Sequence, residues 1–347
     1  MVYILTEPNY SNSVWCKNFL NSLVEALRKN RIAFCEVFDT VPADAETVFL
    51  ISADYNWTKK TIKKLNRSNI SPILICNHLE TLTGCKYNCV SSDVYTSVKT
   101  LLTKISSDKK KKIALYGVNP NSIADIGKVD TLFSYKEQFD VKVYNNSGSL
   151  EECFLTFEKD KNEIDAVICT NDFVAISLVR NLNEDDLKRI TVYSLTASSL
   201  SQYYRDYITS VDIDYKQYGA AAVFLYKKLK KHSYISNITI NLAWNGQEND
   251  TPTDSVQIDA DNTADTFYED MQVCEMMKVE KILTVCDNLD KTILKGLLNN
   301  KTLEEIDEEV FMSENAVKYR IKKILSDCDI KDKTTLITLL KKYLPVF

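Results

Sequence analysis

Asn315, Lys318, Tyr319 and Lys322 recur at intervals of three and four residues, with Arg320 and Lys323 flanking them and Ser313 just upstream. On a helix this spacing gathers an amide, two ammonium groups and a phenol on one face. Ammonium groups neutralise phosphates, and an amide is suited to reading base edges. Val317, Ile321, Ile324 and Cys328 recur on the other side, so the same helix has an apolar face to anchor it. A helix docked by one face, with a cationic polar face left over, suits the major groove of duplex DNA. Ser313 fits the N-cap and leaves the first N–H groups of the helix facing a phosphate. Upstream, Thr302 and Glu305 form a capping-box pattern for a shorter helix. Residues 302–325 therefore read as two short helices joined by a tight turn.

The bulk properties bound what surrounds this feature. The chain has 347 residues, 45% hydrophobic and 26% charged, with a formal net charge of −5. That length holds two or three compact units. Acidity lowers non-specific affinity for nucleic acid but leaves room for a local contact: residues 313–326 hold four bases and one acid. Only 7 glycines argue against a glycine-rich cofactor loop, and only 2 histidines are present, with no nucleophile elbow, phosphate loop or His–carboxylate pair. The reading is a non-enzyme with no cofactor. The ten cysteines are scattered, several inside apolar runs, as expected of reduced thiols. His78, Cys85 and Cys89 fit no zinc spacing, so no metal is expected. MVYILTEPNY lacks the basic and long apolar regions of a signal peptide, and no run reaches the roughly 20 apolar residues of a membrane span, which points to the cytoplasm.

Residues 1–258 alternate β-branched runs with amphipathic stretches. Strands are expected at 2–6, 33–38, 48–52, 71–77, 113–117, 140–144, 166–170, 191–195 and 208–212. Helices are expected at 13–29, 57–67, 94–105, 150–159, 172–182 and 217–231. This alternation implies βαβ units and parallel sheets covered on both faces. The run Lys109–Lys112 reads as a solvated loop near a passage between two lobes. Residues 245–270 hold eight acids and no bases, and read as an exposed loop, a final strand at 255–258 and a polar linker. A connecting helix follows over 270–285, with Met271, Cys274, Met277 and Ile282 as its apolar stripe.

Within that alternation, IDAVICTNDFVAISLVRNL at 164–182 resembles the effector domain of lactose- and galactose-repressor regulators, which are related to periplasmic sugar-binding proteins. YITSVDIDYKQYGAAAVFLYKKL at 207–229, and SPILICNHLE with the later VSSDVYTSVKTLL, extend the resemblance over nearly all of the first 258 residues. It implies an α/β, two-lobed periplasmic-binding-protein-like fold of parallel sheets flanked by helices. The lobes comprise about 1–108 with 214–233, and about 109–213 with 234–258, joined by three crossings with a small-molecule effector between them. Such sheets bind ligands beyond the carboxyl ends of their strands. That selects Asp93, Asn171, Asp172, Thr196 and Tyr215, with Asn9, Tyr10 and Trp15 adding stacking or edge contacts. By resemblance, Asp93 and Asn171 fall where the family contacts its effector. Asp93 and Asp172 are also suited to helix N-caps, and Trp15 to the core. Thr196 and Ala197 stand where family members often carry acids that bind sugar hydroxyls, and the arginine expected before the third lobe helix is missing, PNSIADIGKVD at 120–130 offering only Lys128 nearby. The pattern points away from a simple hexose, toward a less polar or amide-bearing ligand or none.

Residues 283–347 resemble the four-helix module that ends LuxR-type and response-regulator transcription factors, most specifically at FMSENAVKYRIKKIL. The resemblance implies a small all-α helix-turn-helix domain after a 259–282 linker or connecting helix. It places Asn315, Lys318, Tyr319 and Lys322 toward the groove, with Ser313 and Lys323 beside them. Two departures stand out. The first helix carries Glu304, Glu305, Asp307, Glu308 and Glu309, and Asp307 occupies a place where the family has a small alanine. These imply weak monomer binding, rescued by homodimerisation through a last helix at 334–343. Taken together, the resemblances imply a cytoplasmic one-component regulator whose partners are double-stranded DNA, a small effector and a second copy. The alternative is a signalling adaptor whose helical end binds another protein. A phosphorylated receiver domain is not expected, since the first and third strands end in TEPNY and SADYN and the chain is twice too long for one.

Overall fold

Runs such as TVFLI, SPILI and AVIC are apolar at nearly every position, which suits strands covered on both faces. In the computed structural model, which describes every residue except 39, 77–81, 212, 233, 243–266 and 345–347, these runs lie inside two parallel sheets. The first half of the chain forms β1 (Val2–Thr6), α1 (Val14–Lys29), β2 (Phe34–Val37), β3 (Thr47–Ile51), α2 (Tyr55–Arg67), β4 (Ser71–Ile75), β5 (Asn88–Ser92) and α3 (Val94–Ser107). Next come β6 (Lys112–Val118), α4 (Ile123–Phe133), β7 (Asp140–Asn145), α5 (Leu150–Glu158), β8 (Ala166–Cys169), α6 (Asp172–Asn181), α7 (Glu184–Arg189), β9 (Thr191–Ser194) and β10 (Ile208–Ser210). The chain then returns through α8 (Tyr215–Lys231) and β11 (Thr239–Leu242). One sheet has the order β11-β5-β4-β3-β1-β2 and the other β10-β9-β8-β6-β7, with all pairings parallel.

Three expectations about the lobes need correction. Helix α3 belongs to the second lobe: Val94, Val98, Leu101, Leu102 and Ile105 share a core with Ile113, Leu115 and Leu132. The first crossing therefore falls near Asp93, and the lysine run at 109–112 lies inside the second lobe, leading from α3 into β6. Residues 239–242, expected in the second lobe, add a strand to the edge of the first sheet beside β5. Both β5 (NCVSS) and β11 (TINL) escape sequence reading because their polar residues mask the strand pattern. The expected strand at 255–258 lies outside the described residues. On the first lobe, Gly219 lets α8 approach α1, since a Cβ there would sit 2.1 Å from the Ser22 carbonyl oxygen. The Ser22 hydroxyl accepts the Gly219 N–H (2.9 Å) and donates to the Tyr215 carbonyl (2.6 Å), knitting the two helices together.

Five helices complete the chain: α9 (Met271–Val285), α10 (Asn288–Leu298), α11 (Leu303–Val310), α12 (Glu314–Asp327) and α13 (Lys333–Tyr343). Helix α9 is not a free-standing connector. It buries Val273, Met276, Val279, Glu280, Ile282 and Leu283, whereas Met271, expected in the stripe, is 70% exposed. A helix covered on several sides has no single apolar stripe, which is why spacing misassigned its face. The Glu280 carboxylate accepts the Ser199 and Leu200 N–H groups of the second lobe at 2.9 and 2.6 Å. Helix α13 closes the same junction. Tyr204 donates its hydroxyl to the Tyr343 carbonyl (2.6 Å), the Arg180 guanidinium lies 4.3 Å from the Tyr343 ring centroid, and Glu275 takes Lys342 and the Tyr343 hydroxyl. The apolar residues of α13 (Leu336, Leu339, Leu340, Tyr343) are thus buried within its own chain, and the helix offers mainly Lys and Thr outward rather than the pairing face expected of it.

Candidate functional site

Beyond the carboxyl ends of the strands, between the two sheets, lies a small cavity of about 60 Å³. Of the residues selected from sequence, Tyr10, Trp15, Asn171 and Thr196 line it. Asn9 is exposed outside it. Asp93 is spent as the N-cap of α3, accepting the Thr96 N–H (3.0 Å) and hydroxyl (2.5 Å). Tyr215 packs on Phe19 and faces a different cavity. Asn171, rather than Asp172, caps α6: its Oδ1 accepts the Val174 N–H at 3.0 Å, which leaves the Nδ2 group for the cavity. Gly117, at φ +75, holds α6 in place, since a Cβ there would meet Val174 Cγ1 at 2.3 Å.

The cavity wall contains a buried ion pair that no motif announced. Lys128 donates to Asp125 Oδ1 and to the Thr170 carbonyl, both at 2.7 Å, and Asp125 Oδ2 accepts the Asn119 N–H at 3.0 Å. Two of the three lysine donors are thereby used, leaving one for a guest. Glu7, also missed, is buried and organises the opposing loop by accepting the Ser52 hydroxyl and the Ala53 and Asp54 N–H groups at 2.8–3.0 Å. That loop bridges the lobes. Ile123 donates its N–H to the Ala53 carbonyl (2.8 Å) and Tyr55 to the Asn121 carbonyl (3.0 Å). The cleft is closed along this edge.

Its remaining space is filled from within the chain. Phe267 and Tyr268, just before α9, enter the cleft: Trp15 lies between Phe173 (5.2 Å between centroids) and Phe267 (6.2 Å), and Tyr10 meets Tyr268 at 5.9 Å. Asp270 then anchors the segment, capping α9 through Oδ1 and accepting the Leu150 N–H through Oδ2 at 2.7 Å. Drug-sized ligands occupy pockets of roughly 300–1,000 Å³, so a guest here must move this aromatic pair or part the lobes.

Asp172 lies behind Thr196. Its Oδ1 accepts the Thr196 hydroxyl at 2.6 Å, and that hydroxyl accepts the Asp172 N–H. Burial raises its pKa to about 6, hydrogen bonds from Ser198 and Thr196 hold it down in part, and Glu280 on α9 adds to the rise. In the unfolded chain an aspartate titrates near 4, so between about pH 6 and 4 the folded state binds a proton that the unfolded state does not. This contribution therefore favours folding on acidification and is lost as pH rises through about 6. Asp172→Asn should remove that slope and stabilise the protein by roughly 2–3 kcal/mol at pH 7.5 relative to its own effect at pH 4. Urea unfolding of both proteins across that range measures it, and parallel curves would place the titration elsewhere.

At the other end of the molecule, α12 buries Val317, Ile321 and Ile324 and leaves Asn315, Lys318, Tyr319, Lys322 and Lys323 exposed, Tyr319 at 68%. Ser313 caps the helix through Oγ to the Ala316 N–H. Lys318 is paired with Glu314 at 2.5 Å. Lys333 of α13 faces the same open groove as Asn315, Lys318, Tyr319 and Lys322. Arg320 leaves the basic face, contrary to its expected flanking place. Its long side chain reaches α10 and bonds Asp290 (2.6 Å) and Asp287 (3.0 Å), pinning α12 to its neighbour. The turn before α12 passes through Phe311, left-handed at φ 53 and 95% exposed. On α11, Glu305 is absorbed in the capping box with Thr302 and Glu309 pairs with Lys301 at 2.8 Å, which removes part of the acidic surface noted in the sequence.

No family model matches the sequence, and no curated protein matches it. Solved structures do. The Lac repressor bound to ONPG in its repressed state is similar with a TM-score of 0.56 at 11% identity, over 69% of this chain and 78% of that one. The LacI-family regulator CCPA from Weissella paramesenteroides with bound sucrose gives 0.54 at 16% identity, over 75% and 98%. A periplasmic sugar-binding protein of an ABC transporter from Legionella pneumophila gives 0.51 at 14% identity, over 69% and 98%. At these identities the likeness is one of fold, and the fold is two parallel-sheet α/β lobes. Among the described residues no helix is long and apolar enough to cross a membrane.

Proposed function

We propose that this chain is a one-component transcription regulator. Its cleft takes a small effector, α11 and α12 act as a helix-turn-helix on double-stranded DNA, and a homodimer presents two such units to paired half-sites in the cytoplasm. The observation that carries this reading is α12 itself: anchored by Val317, Ile321 and Ile324, with Asn315, Lys318, Tyr319, Lys322 and Lys323 facing solvent. Lys318 and Lys322 hold phosphates, and Asn315 reads a base edge. The similar structures with bound ONPG or sucrose support a hydroxyl-bearing effector. Here Lys128, Asn119 and the Asn171 amide supply polar contacts and Trp15 an aromatic wall, which suits a small neutral molecule with hydroxyl or amide groups. Coupling runs through Phe267 and Tyr268. An effector that displaces them pulls on the start of α9, which packs against the helices carrying the DNA face. Fluorescence anisotropy of labelled duplex fragments of the host genome tests the reading, with retention at low salt expected and no retention overturning it.

The adaptor reading is favoured by one feature, the bare Phe311 beside Glu304 and Glu308, which suits a protein surface. A stoichiometric protein complex with no DNA retention would select it.

A further inference from the structure

A wide concavity lies away from the interlobe cleft, where α1 of the first lobe, residues 197–202 of the second, α9 and the end of α12 meet. Its volume is about 840 Å³. Lys17 enters from α1, and Lys278 and Lys281 enter from α9. None of the three makes an ion pair among the described residues. Two carboxylates share the walls. Glu280 is turned into the protein and held by the Ser199 and Leu200 N–H groups, and Asp329 stands at the end of α12. Three cations against one solvent-facing carboxylate leave the cavity positive. Lys17 registers this: burial lowers its pKa first, and the charge of Lys281 lowers it further. An arrangement that crowds ammonium groups without pairing them is set up for an anion brought from solution.

We propose that this junction cavity is a second small-molecule site, taking a phosphate monoester of a small hydroxyl-bearing compound. No arginine lines it, so the planar fork that matches a carboxylate is absent, whereas lysines bind phosphate as point charges. Asn18, Ser198, Gln202 and Thr284 supply hydroxyl and amide partners for the rest of the molecule, and Met277 an apolar floor. Because its walls come from both lobes and from α9, occupancy ties lobe closure to the position of the C-terminal helices.

Calorimetric titration of the full-length protein with glycerol 3-phosphate tests the site, with glycerol and inorganic phosphate as comparators at constant ionic strength. Binding is expected for the ester and more weakly for inorganic phosphate, with none for glycerol. Lys17→Glu with Lys281→Glu should weaken the ester at least about tenfold. Asn171→Ala, in the interlobe cleft, should leave it unchanged. If circular dichroism shows the charge-reversed protein misfolded, Lys17→Gln with Lys281→Gln serves the same comparison. Absence of heat from both phosphates up to about 10 mM, or equal affinity in the substituted protein, overturns the assignment. No DNA enters this experiment, so it stands or falls apart from the regulator reading.

Discussion

Full-length protein carrying Lys318→Ala and Lys322→Ala is expected to bind duplex DNA about 100-fold more weakly at low salt, roughly tenfold for each lost phosphate contact. The diagnostic is the salt dependence. Each neutralised phosphate contributes about 0.9 to the slope of log K against log salt, so the double variant should flatten that slope by about 1.8. Lys318 is held by Glu314 in the free protein and must exchange that carboxylate for a phosphate. Glu314→Gln should therefore move affinity the other way. Both lysines are exposed, so neither substitution should change stability by more than about 0.5 kcal/mol. Anisotropy titrations at several salt concentrations read both quantities. A slope unchanged by the double substitution would move the DNA contact to another surface.

Phe267→Ala should have the largest effect on the fold. The ring is 5% exposed and packs on Trp15 and Tyr268 in the cleft. Deleting it forfeits its transfer energy and leaves a cavity, together about 3 kcal/mol or more. It also adds space on the order of 100 Å³ to a cavity of about 60 Å³, so the variant should gain more thermal stability than the parent from a small neutral cleft ligand such as glycerol. Urea unfolding without ligand and thermal shifts with it measure the two halves. A loss below about 1 kcal/mol would mean that Phe267 does not fill the cleft in solution.

The sheets are legible in the sequence because a strand buried on both faces must be apolar throughout. Most strands and helices of the lobes lie within a few residues of their expected bounds. The exceptions fall where polarity has another cause. The strand β5 carries Asn88 and Ser91, whose side chains serve hydrogen bonds across to the β11 segment, such as Ser91 to Asn241 at 2.8 Å. At 245–270 the acids suggested a linker, and two aromatics within it, Phe267 and Tyr268, were overlooked although they reach the cleft. Charge spacing placed Arg320 on the basic face, but a long side chain chooses its partner in three dimensions, and Asp287 and Asp290 were nearer. For the cleft, Tyr10, Trp15, Asn171 and Thr196 come together as strand-end positions should, whereas Glu7, Asp125 and Lys128 act through burial that spacing does not encode. In the sequence Lys128 stands out only as the base nearest to an expected arginine.

The most direct test of the DNA face is a photocrosslink. With p-benzoylphenylalanine placed at position 319, the full-length protein is irradiated with duplex fragments of the host genome in low salt, and the same group at the exposed position 207 on the second lobe serves as reference. Covalent protein–DNA adducts should form at 319 and not at 207. Adducts absent from 319, or equal at both positions, would contradict the assignment of α12 to the groove.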